Sequence, residues 1–155
     1  RQFLSQKKIN QGWTTLIKRS QKLLEDTIAE KSNEVAKVLD EIRGENYAPQ
    51  FYNNEQSLRA IIKYAYIAAV GQYVNVEEMP SGKGIADIAF IPTSFSKLPA
   101  MIIELKWNKT PGGAIKQIRE KKYATALKPY KGNILLVGIN YDAKSGKHSC
   151  MIEKA

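Results

Sequence analysis

Two short apolar segments of this chain carry ionisable residues where a buried β-strand normally carries none. The first segment is Gly84-Ile-Ala-Asp87-Ile, and the second is Met101-Ile-Ile-Glu104-Leu-Lys106. An ionised group in an apolar strand costs several kcal/mol unless it is paired or bound to a metal. The fold must therefore supply a partner for each of Asp87, Glu104 and Lys106.

The spacing of these residues predicts a site for a hard cation. Residues two apart on a strand share a face, so we expect Glu104 and Lys106 to point the same way. The proline-bounded loop over 92–99 separates the two segments, which favours a hairpin. If this hairpin is symmetric about Ser96, Asp87 lies opposite Glu104, and two like charges destabilise such a pair. A divalent ion in front of a phosphate would offset the repulsion, because Mg²⁺ binds one or two carboxylates together with phosphate oxygens.

Local signals predict helices and strands in the order α-β-β-β-α-β, followed by one further strand. Asn54 and Thr110 are suitable helix N-caps, and Pro111 has the favoured first position of the helix that follows Thr110. Two helices are predicted over 14–43, with a cap at Ser32 between them and an end at Gly44, and a third helix is predicted over 55–70, ending at Gly71. Besides the Asp87 and Glu104 strands, three strands are predicted, over 73–79, 133–140 and 149–153. This order fits a mixed α/β layer fold.

The composition is that of one ordinary domain. Of the 155 residues 43% are hydrophobic, which argues against disorder, and no apolar run reaches the ~18 residues of a membrane-spanning helix. A single cysteine, Cys150, excludes an intrachain disulfide and favours a reducing cytoplasm. The one histidine, His148, excludes a His-rich zinc site, and we expect packing or surface roles for both residues. The first residue is Arg1 rather than Met, so we expect the chain to be part of a longer protein.

Positive charge is concentrated after the second charged strand. The net charge is +9, and the span 106–131 has eight basic residues against one acidic residue, Glu120. A positive stretch beside the predicted site would attract a polyanion such as nucleic acid, whereas the alternative is an ordinary solvated helix face. The candidate nucleic-acid-binding residues are Lys109, Lys116, Arg119, Lys121 and Lys122.

The Asp of one strand and the Glu-x-Lys of the next resemble the core of the PD-(D/E)XK nuclease superfamily. The segments 78–87, 103–107 and 135–141 are similar to one branch, the nuclease-like domain at the C-terminus of bacterial predicted AAA-ATPase proteins. The resemblance covers residues 46–155 and implies a restriction-endonuclease-like core there. It also implies that residues 1–45 are a helical connector and that an ATPase domain is fused before it. The usual Pro-Asp dipeptide of the superfamily is replaced here by Ala86-Asp87.

The same resemblance implies a set of metal ligands. Asp87, Glu104 and the backbone carbonyl of Leu105 would hold one Mg²⁺, for which Mn²⁺ could substitute. Related nucleases place an acidic residue of the first core helix beside this site, and Glu55 has the matching position. The alternative for Glu55 is a favourable interaction with the positive end of its own helix.

Two further residues follow from the resemblance. Lys106 would position the attacking water or neutralise charge on the phosphorus, and Gln117 of the following helix would orient Lys106 or a phosphate. RecB-like nucleases carry a tyrosine four residues after this glutamine. Here that position is Lys121, and the nearest tyrosine is Tyr123, which would project to another side of the helix.

The function that the sequence favours is metal-dependent hydrolysis of nucleic-acid phosphodiester bonds, with DNA as the expected substrate. The first alternative is a catalytically silent module that keeps the nuclease fold and binds nucleic acid or regulates an attached ATPase. A second alternative is that Glu104 and Lys106 simply neutralise each other at the end of a strand, which would leave Asp87 unexplained.

Overall fold

The computed structural model describes residues 2–46, 53–81, 84–93, 97–121, 127–130 and 132–155, with the backbone alone for residues 2–11, 46, 77–81 and 84–87. Nine helices and strands are assigned within these ranges. They are α1 (Gln2–Ile28), α2 (Ser32–Asn46), α3 (Glu55–Ala65), β1 (Tyr73–Ser81), β2 (Gly84–Pro92), β3 (Ala100–Trp107), α4 (Pro111–Glu120), β4 (Ile134–Asp142) and β5 (Lys147–Lys154). From α3 onward this is the predicted order, so the mixed α/β, restriction-endonuclease-like fold is confirmed.

The five strands form one mixed sheet in the order β1-β2-β3-β4-β5. The pairs β1–β2, β2–β3 and β4–β5 are antiparallel, whereas β3 and β4 are parallel. A parallel pair requires a crossover connection, and α4 supplies it. The crossover places α4 directly after β3, the strand that carries Glu104 and Lys106.

The described pairs between β2 and β3 follow the symmetric register that was assumed for this hairpin. Ile88 pairs with Ile103, and Phe90 pairs with Met101. The next positions in the same register are Asp87 and Glu104, one step beyond the described ladder. Ser96, about which the hairpin was expected to turn, and the side chain of Asp87 lie outside the described residues.

The sheet separates two hydrophobic layers, and strand alternation decides which layer each residue of β3 joins. Met101, Ile103 and Leu105 pack in one cluster with α1, α2 and α3. Ala100 and Ile102 pack in the other cluster, together with Ile115 and Ile118 of α4. Glu104 and Lys106 follow the same alternation as Ala100 and Ile102, so they belong to the α4 side of the sheet.

The predicted N-caps of α3 and α4 are confirmed. The Asn54 side chain accepts a hydrogen bond from the Ser57 amide, and the Ser57 hydroxyl accepts one from the Asn54 amide, which completes a capping box. Thr110 Oγ1 accepts from the Gly113 amide, and Pro111 begins α4. These local hydrogen bonds fix where the two helices beside the sheet begin.

The first two helices differ in part from the prediction. The expected helical region began at residue 14 and ended at Gly44, but α1 begins at Gln2 and α2 continues to Asn46. Ser32 does begin α2, yet its hydroxyl accepts a hydrogen bond from the Ile152 amide of β5 at 3.1 Å. The division of the chain at residues 45 and 46 remains a prediction.

The packing roles predicted for the lone histidine and cysteine are confirmed. His148 is buried, and its Nδ1 and its amide nitrogen both lie within hydrogen-bond distance of Asp40 Oδ1, at 2.7 and 2.8 Å. Cys150 packs against the core, where burial raises the pKa of its thiol to about 12. Within the described ranges, every helix is too short or too polar to span a bilayer.

Candidate active site

Glu104 lies in the layer between β3 and α4 with a cation beside its carboxylate. Glu104 as a whole is 2% exposed, and its Oε1 accepts a hydrogen bond from Lys121 Nζ at 2.8 Å. The side chain of Lys121 is 13% exposed, so both partners of this ion pair are largely withdrawn from water. Burying the Glu104 carboxylate requires such a partner, because an unpaired buried charge is strongly destabilising.

Lys106 contacts Gln117 of α4, which lies one helical turn before Lys121. Its Nζ donates a hydrogen bond to the side-chain oxygen of Gln117, a contact that the sequence predicted. Two residues of a strand advance about 6.6 Å, and four residues of a helix advance about 6 Å, so the two contacts match in spacing. Because α4 runs back along β3, Lys106 meets Gln117 and Glu104 meets Lys121. We call these two contacts the cross-layer pairs.

The cross-layer pairs decide one alternative left open by the sequence. Glu104 and Lys106 do not neutralise each other at the end of the strand, since each bonds to a residue of α4. Residues four apart lie on one flank of a helix, as Gln117 and Lys121 do. The sequence nevertheless predicted for Lys121 a contact with nucleic acid and none with Glu104. The ion pair is therefore a feature that sequence reasoning missed.

Gly138 allows α4 to approach the sheet closely enough for these contacts. It lies on β4 directly beside Glu104 in the parallel ladder. A Cβ added at Gly138 would lie 2.3 Å from the carbonyl oxygen of Pro111 and 3.0 Å from Ala114 Cβ. Sequence reasoning missed this residue, although a glycine inside a buried strand is a known signal of close approach by another backbone.

Two asparagines fix the connection between β3 and α4. Asn108 adopts a left-handed conformation, with φ of 55°, and its Oδ1 accepts a hydrogen bond from the Ala143 amide at 2.8 Å. Asn140 is buried on β4, and its Oδ1 accepts from the Lys109 amide at 2.9 Å. Both were missed, because the sequence does not reveal that the turn after β4 lies beside the turn after β3.

An open groove of about 510 Å³ runs along the exposed flank of α4. Its lining residues are Gly113, Lys116, Gln117, Glu120 and Lys121. Two of the five candidate nucleic-acid-binding residues, Lys116 and Lys121, therefore line it.

The structure describes two of the remaining three candidates, Lys109 and Arg119, and neither is a lining residue of this groove. The side chain of Lys109 is exposed in the loop before α4, whereas Arg119 donates to the Lys154 carbonyl at 3.2 Å and lies 3.7 Å from Glu153 on β5. Lys122 lies outside the described residues, as does Tyr123.

The candidate metal ligands are only partly brought together. Leu105 is buried in β3 between Glu104 and Lys106, and Asp87 has its backbone in β2. Glu55 is exposed in the first turn of α3, a helix that packs on the opposite face of the sheet. Among the side chains that the structure describes, no group of three or more His, Cys, Asp and Glu residues could hold a metal ion.

The chemistry at Glu104 nevertheless fits a cation. A buried carboxylate oxygen already holds one positive charge at 2.8 Å, and the Lys121 ammonium thus stands where a cation would bind. Continued by one step, the described hairpin register would bring a second carboxylate residue, Asp87, across from Glu104. Carboxylates and backbone carbonyls are the oxygen ligands that hard divalent ions take in proteins.

Comparison with known proteins gives one match. A family model described as the PD-(D/E)XK nuclease superfamily matches residues 53–150, more than half of the chain. The matched region runs from the cap of α3 into β5 and includes Asp87, both cross-layer pairs and Gly138. No curated protein and no solved structure matches the chain.

Proposed function

This chain belongs to the PD-(D/E)XK nuclease superfamily, and on that premise we propose that it is a metal-dependent nuclease that hydrolyses phosphodiester bonds in nucleic acid, with DNA as its substrate. The observation that carries the proposal is the pair of charged residues on β3, a buried Glu104 with a cation beside it and a Lys106 oriented by Gln117. A strand buried in a three-layer fold has no structural need for two such charges.

Members of the superfamily generally use divalent metal ions. We propose that Glu104, Asp87 and the carbonyl of Leu105 hold one Mg²⁺, with Mn²⁺ as a substitute. Glu55 is left out of this site, because it is exposed on the helix that packs on the opposite face of the sheet. Such an ion lowers the pKa of a bound water and polarises a phosphoryl oxygen. Strand alternation from Ala89, a member of the α4-side cluster, would put position 87 on the side of the sheet that carries Glu104, which supports its assignment to the same site.

The role proposed for Lys106 follows from its surroundings. Gln117 fixes the ammonium at the edge of the groove, where it can meet a phosphate and neutralise the charge that develops on the phosphorus. Lysine suits this role because its charge is compact, and a fixed charge of this kind stabilises the transition state without reorganisation. Lys109 and Lys116 would bind the neighbouring phosphates, with Arg119 and Lys122 extending the same basic stretch.

The resemblance to the ATPase-linked branch supports one further part of the proposal. We propose that this chain is the C-terminal part of a larger protein with an ATPase domain before it, and that it acts in the cytoplasm.

A cleavage assay with a matched lysine control tests the proposed function. Wild type, Lys106→Met and Lys18→Met would be incubated with Mg²⁺ and a panel of single- and double-stranded DNA and RNA. Lys18 is an exposed lysine of α1, outside the α4 layer. We expect Lys106→Met to lose about 100-fold or more of the cleavage rate, since removing one transition-state donor typically costs that much, and Lys18→Met to match wild type.

Two outcomes would contradict the proposed nuclease. Equal cleavage by Lys106→Met and wild type would remove Lys106 from the reaction. Nucleic-acid binding by wild type without cleavage of any member of the panel would favour the silent binding module.

A further inference from the structure

The buried ion pair between Lys121 and Glu104 requires an explanation of its own. With 13% and 2% exposure, both partners are withdrawn from water, and such a pair is on average no more stabilising than apolar residues of the same size. The pair involves the carboxylate to which the proposed function assigns the metal. An internal ammonium and a divalent ion would compete for the negative charge of this one carboxylate, because two cations held beside it repel each other.

The position of Lys121 in α4 would let its ammonium leave Glu104 without unfolding the helix. Lys121 is the C-cap residue, with an extended backbone at φ −85° and ψ 119°. Its amide donates to the Gln117 carbonyl at 3.1 Å, so the backbone is fixed by the last helical turn. The residue also lines the open groove, so the long side chain would have solvated space to enter if its ammonium left Glu104.

Resting on the proposed function, we propose that Lys121 is an internal counter-ion that occupies Glu104 in the metal-free protein and that a divalent ion must displace. The ammonium keeps the buried carboxylate satisfied when no metal is bound. It also raises the metal concentration at which the site fills, because each binding event must break a largely buried charge-assisted contact.

Calorimetric titration of Mn²⁺ into the whole chain tests this competition without nucleic acid and without any measurement of activity. The proteins are wild type, Lys121→Met and Lys116→Met, all at one pH and one salt concentration. Lys116→Met is the matched control, because it removes the same charge from the same helix and groove but from an exposed side chain. We expect Lys121→Met to bind Mn²⁺ at least about tenfold more tightly than wild type, as expected when a charge-assisted contact no longer has to be broken. Lys116→Met should stay within about threefold of wild type, because water and salt screen an exposed charge.

The outcomes separate this inference from the proposed function. If wild type binds Mn²⁺ and Lys121→Met binds it equally or more weakly, Lys121 supports the site instead of competing for it, and the inference fails alone. If none of the three proteins binds Mn²⁺, both the metal site and the competition are wrong. If Lys116→Met gains as much affinity as Lys121→Met, the effect is general electrostatics and the inference fails.

Thermal unfolding gives a second readout if Lys121→Met folds poorly. Lys121→Gln keeps a hydrogen-bond donor but removes the charge. In EDTA this variant should melt below wild type, because Glu104 has lost its cation. Saturating Mn²⁺ should then raise its melting temperature by more than it raises that of wild type. A smaller rise would contradict the competition.

Discussion

At the scale of single residues, Gly138 determines how closely α4 can approach the sheet. We expect Gly138→Ala to lower the free energy of unfolding by about 1–3 kcal/mol, because the new methyl group would overlap the Pro111 carbonyl. Urea unfolding measures the loss. Gly44→Ala is the control: Gly44 lies in a helix with nothing within 4 Å of an added Cβ, so alanine should stabilise there by about 0.5–1 kcal/mol. A Gly138→Ala variant as stable as wild type would show that α4 can shift without cost.

For Asp87 we expect the opposite effect on stability from the one predicted at Gly138. We expect Asp87→Ala to abolish metal-dependent cleavage while leaving the melting temperature in EDTA unchanged or higher. The reason is that the described ladder ends at the pair Ile88 and Ile103, and its continuation by one step would put Asp87 across from Glu104. Removing one of two facing carboxylates relieves repulsion. A thermal melt and a cleavage assay on the same preparation check both parts. A large fall in the melting temperature without metal would count against a shared site.

The residues of the site differ in how far the sequence could predict them. Glu104 and Lys106 were predictable because an ionisable group in an apolar strand is visible in the sequence itself, whereas Gln117 was singled out only through the family resemblance. Gly138 and Asn140 were not, because their roles depend on β4 lying beside β3 with α4 above it. The ion pair between Lys121 and Glu104 was missed for the same reason. A contact between a helix and a strand of different layers leaves no periodic pattern in the sequence.

At the scale of helices and strands, short-range chemistry was the reliable guide. The caps at Asn54 and Thr110 were predictable, because each depends on a few adjacent residues. The limits of α1 and α2 were not predictable to the same extent. Packing against the sheet stabilises helical residues whose own sequence gives a weak signal, which is typical of helices in folded proteins.

The contact between α2 and β5 gives a prediction at this scale. Asp40 of α2 accepts from the His148 amide and lies 2.7 Å from its buried Nδ1. We expect Asp40→Ala to cost about 1–3 kcal/mol of unfolding free energy, since it leaves buried polar groups without this acceptor. Chemical unfolding of Asp40→Ala and Glu34→Ala compares the two. Glu34 lies on the same helix in an exposed pair with Lys22, so its loss should cost less than about 1 kcal/mol. Equal costs would show that the His148 contact contributes little.

At the scale of the whole molecule, α1 and α2 share the core of the sheet. Leu23, Val38 and Ile42 are fully or almost fully buried in the cluster that also contains Ile103 of β3. The family resemblance implied that these helices are a connector, and their many charged residues gave no sign of the apolar face that they contribute to the core. The superfamily match begins at residue 53, after α1 and α2. Both helices nevertheless contribute side chains to the same hydrophobic core as the sheet.

Truncation tests this dependence. We expect residues 46–155 alone to lose cooperative thermal unfolding and to bind a hydrophobic dye, because removing α1 and α2 exposes the apolar face of the sheet. Near-ultraviolet circular dichroism of the fragment and of the full chain would measure the difference. A fragment that unfolds cooperatively near the melting temperature of the full chain would support an independent domain starting at residue 46.

The whole account depends on a cation site at Glu104 on the α4 side of the sheet. Calorimetric titration of Mn²⁺ into wild type, Glu104→Gln and Glu120→Gln tests that claim most directly. Glu120 is an exposed glutamate that lines the same groove, so its replacement controls for loss of one nearby negative charge. The account predicts binding by wild type and Glu120→Gln and its loss in Glu104→Gln. Equal binding by Glu104→Gln and wild type would contradict it.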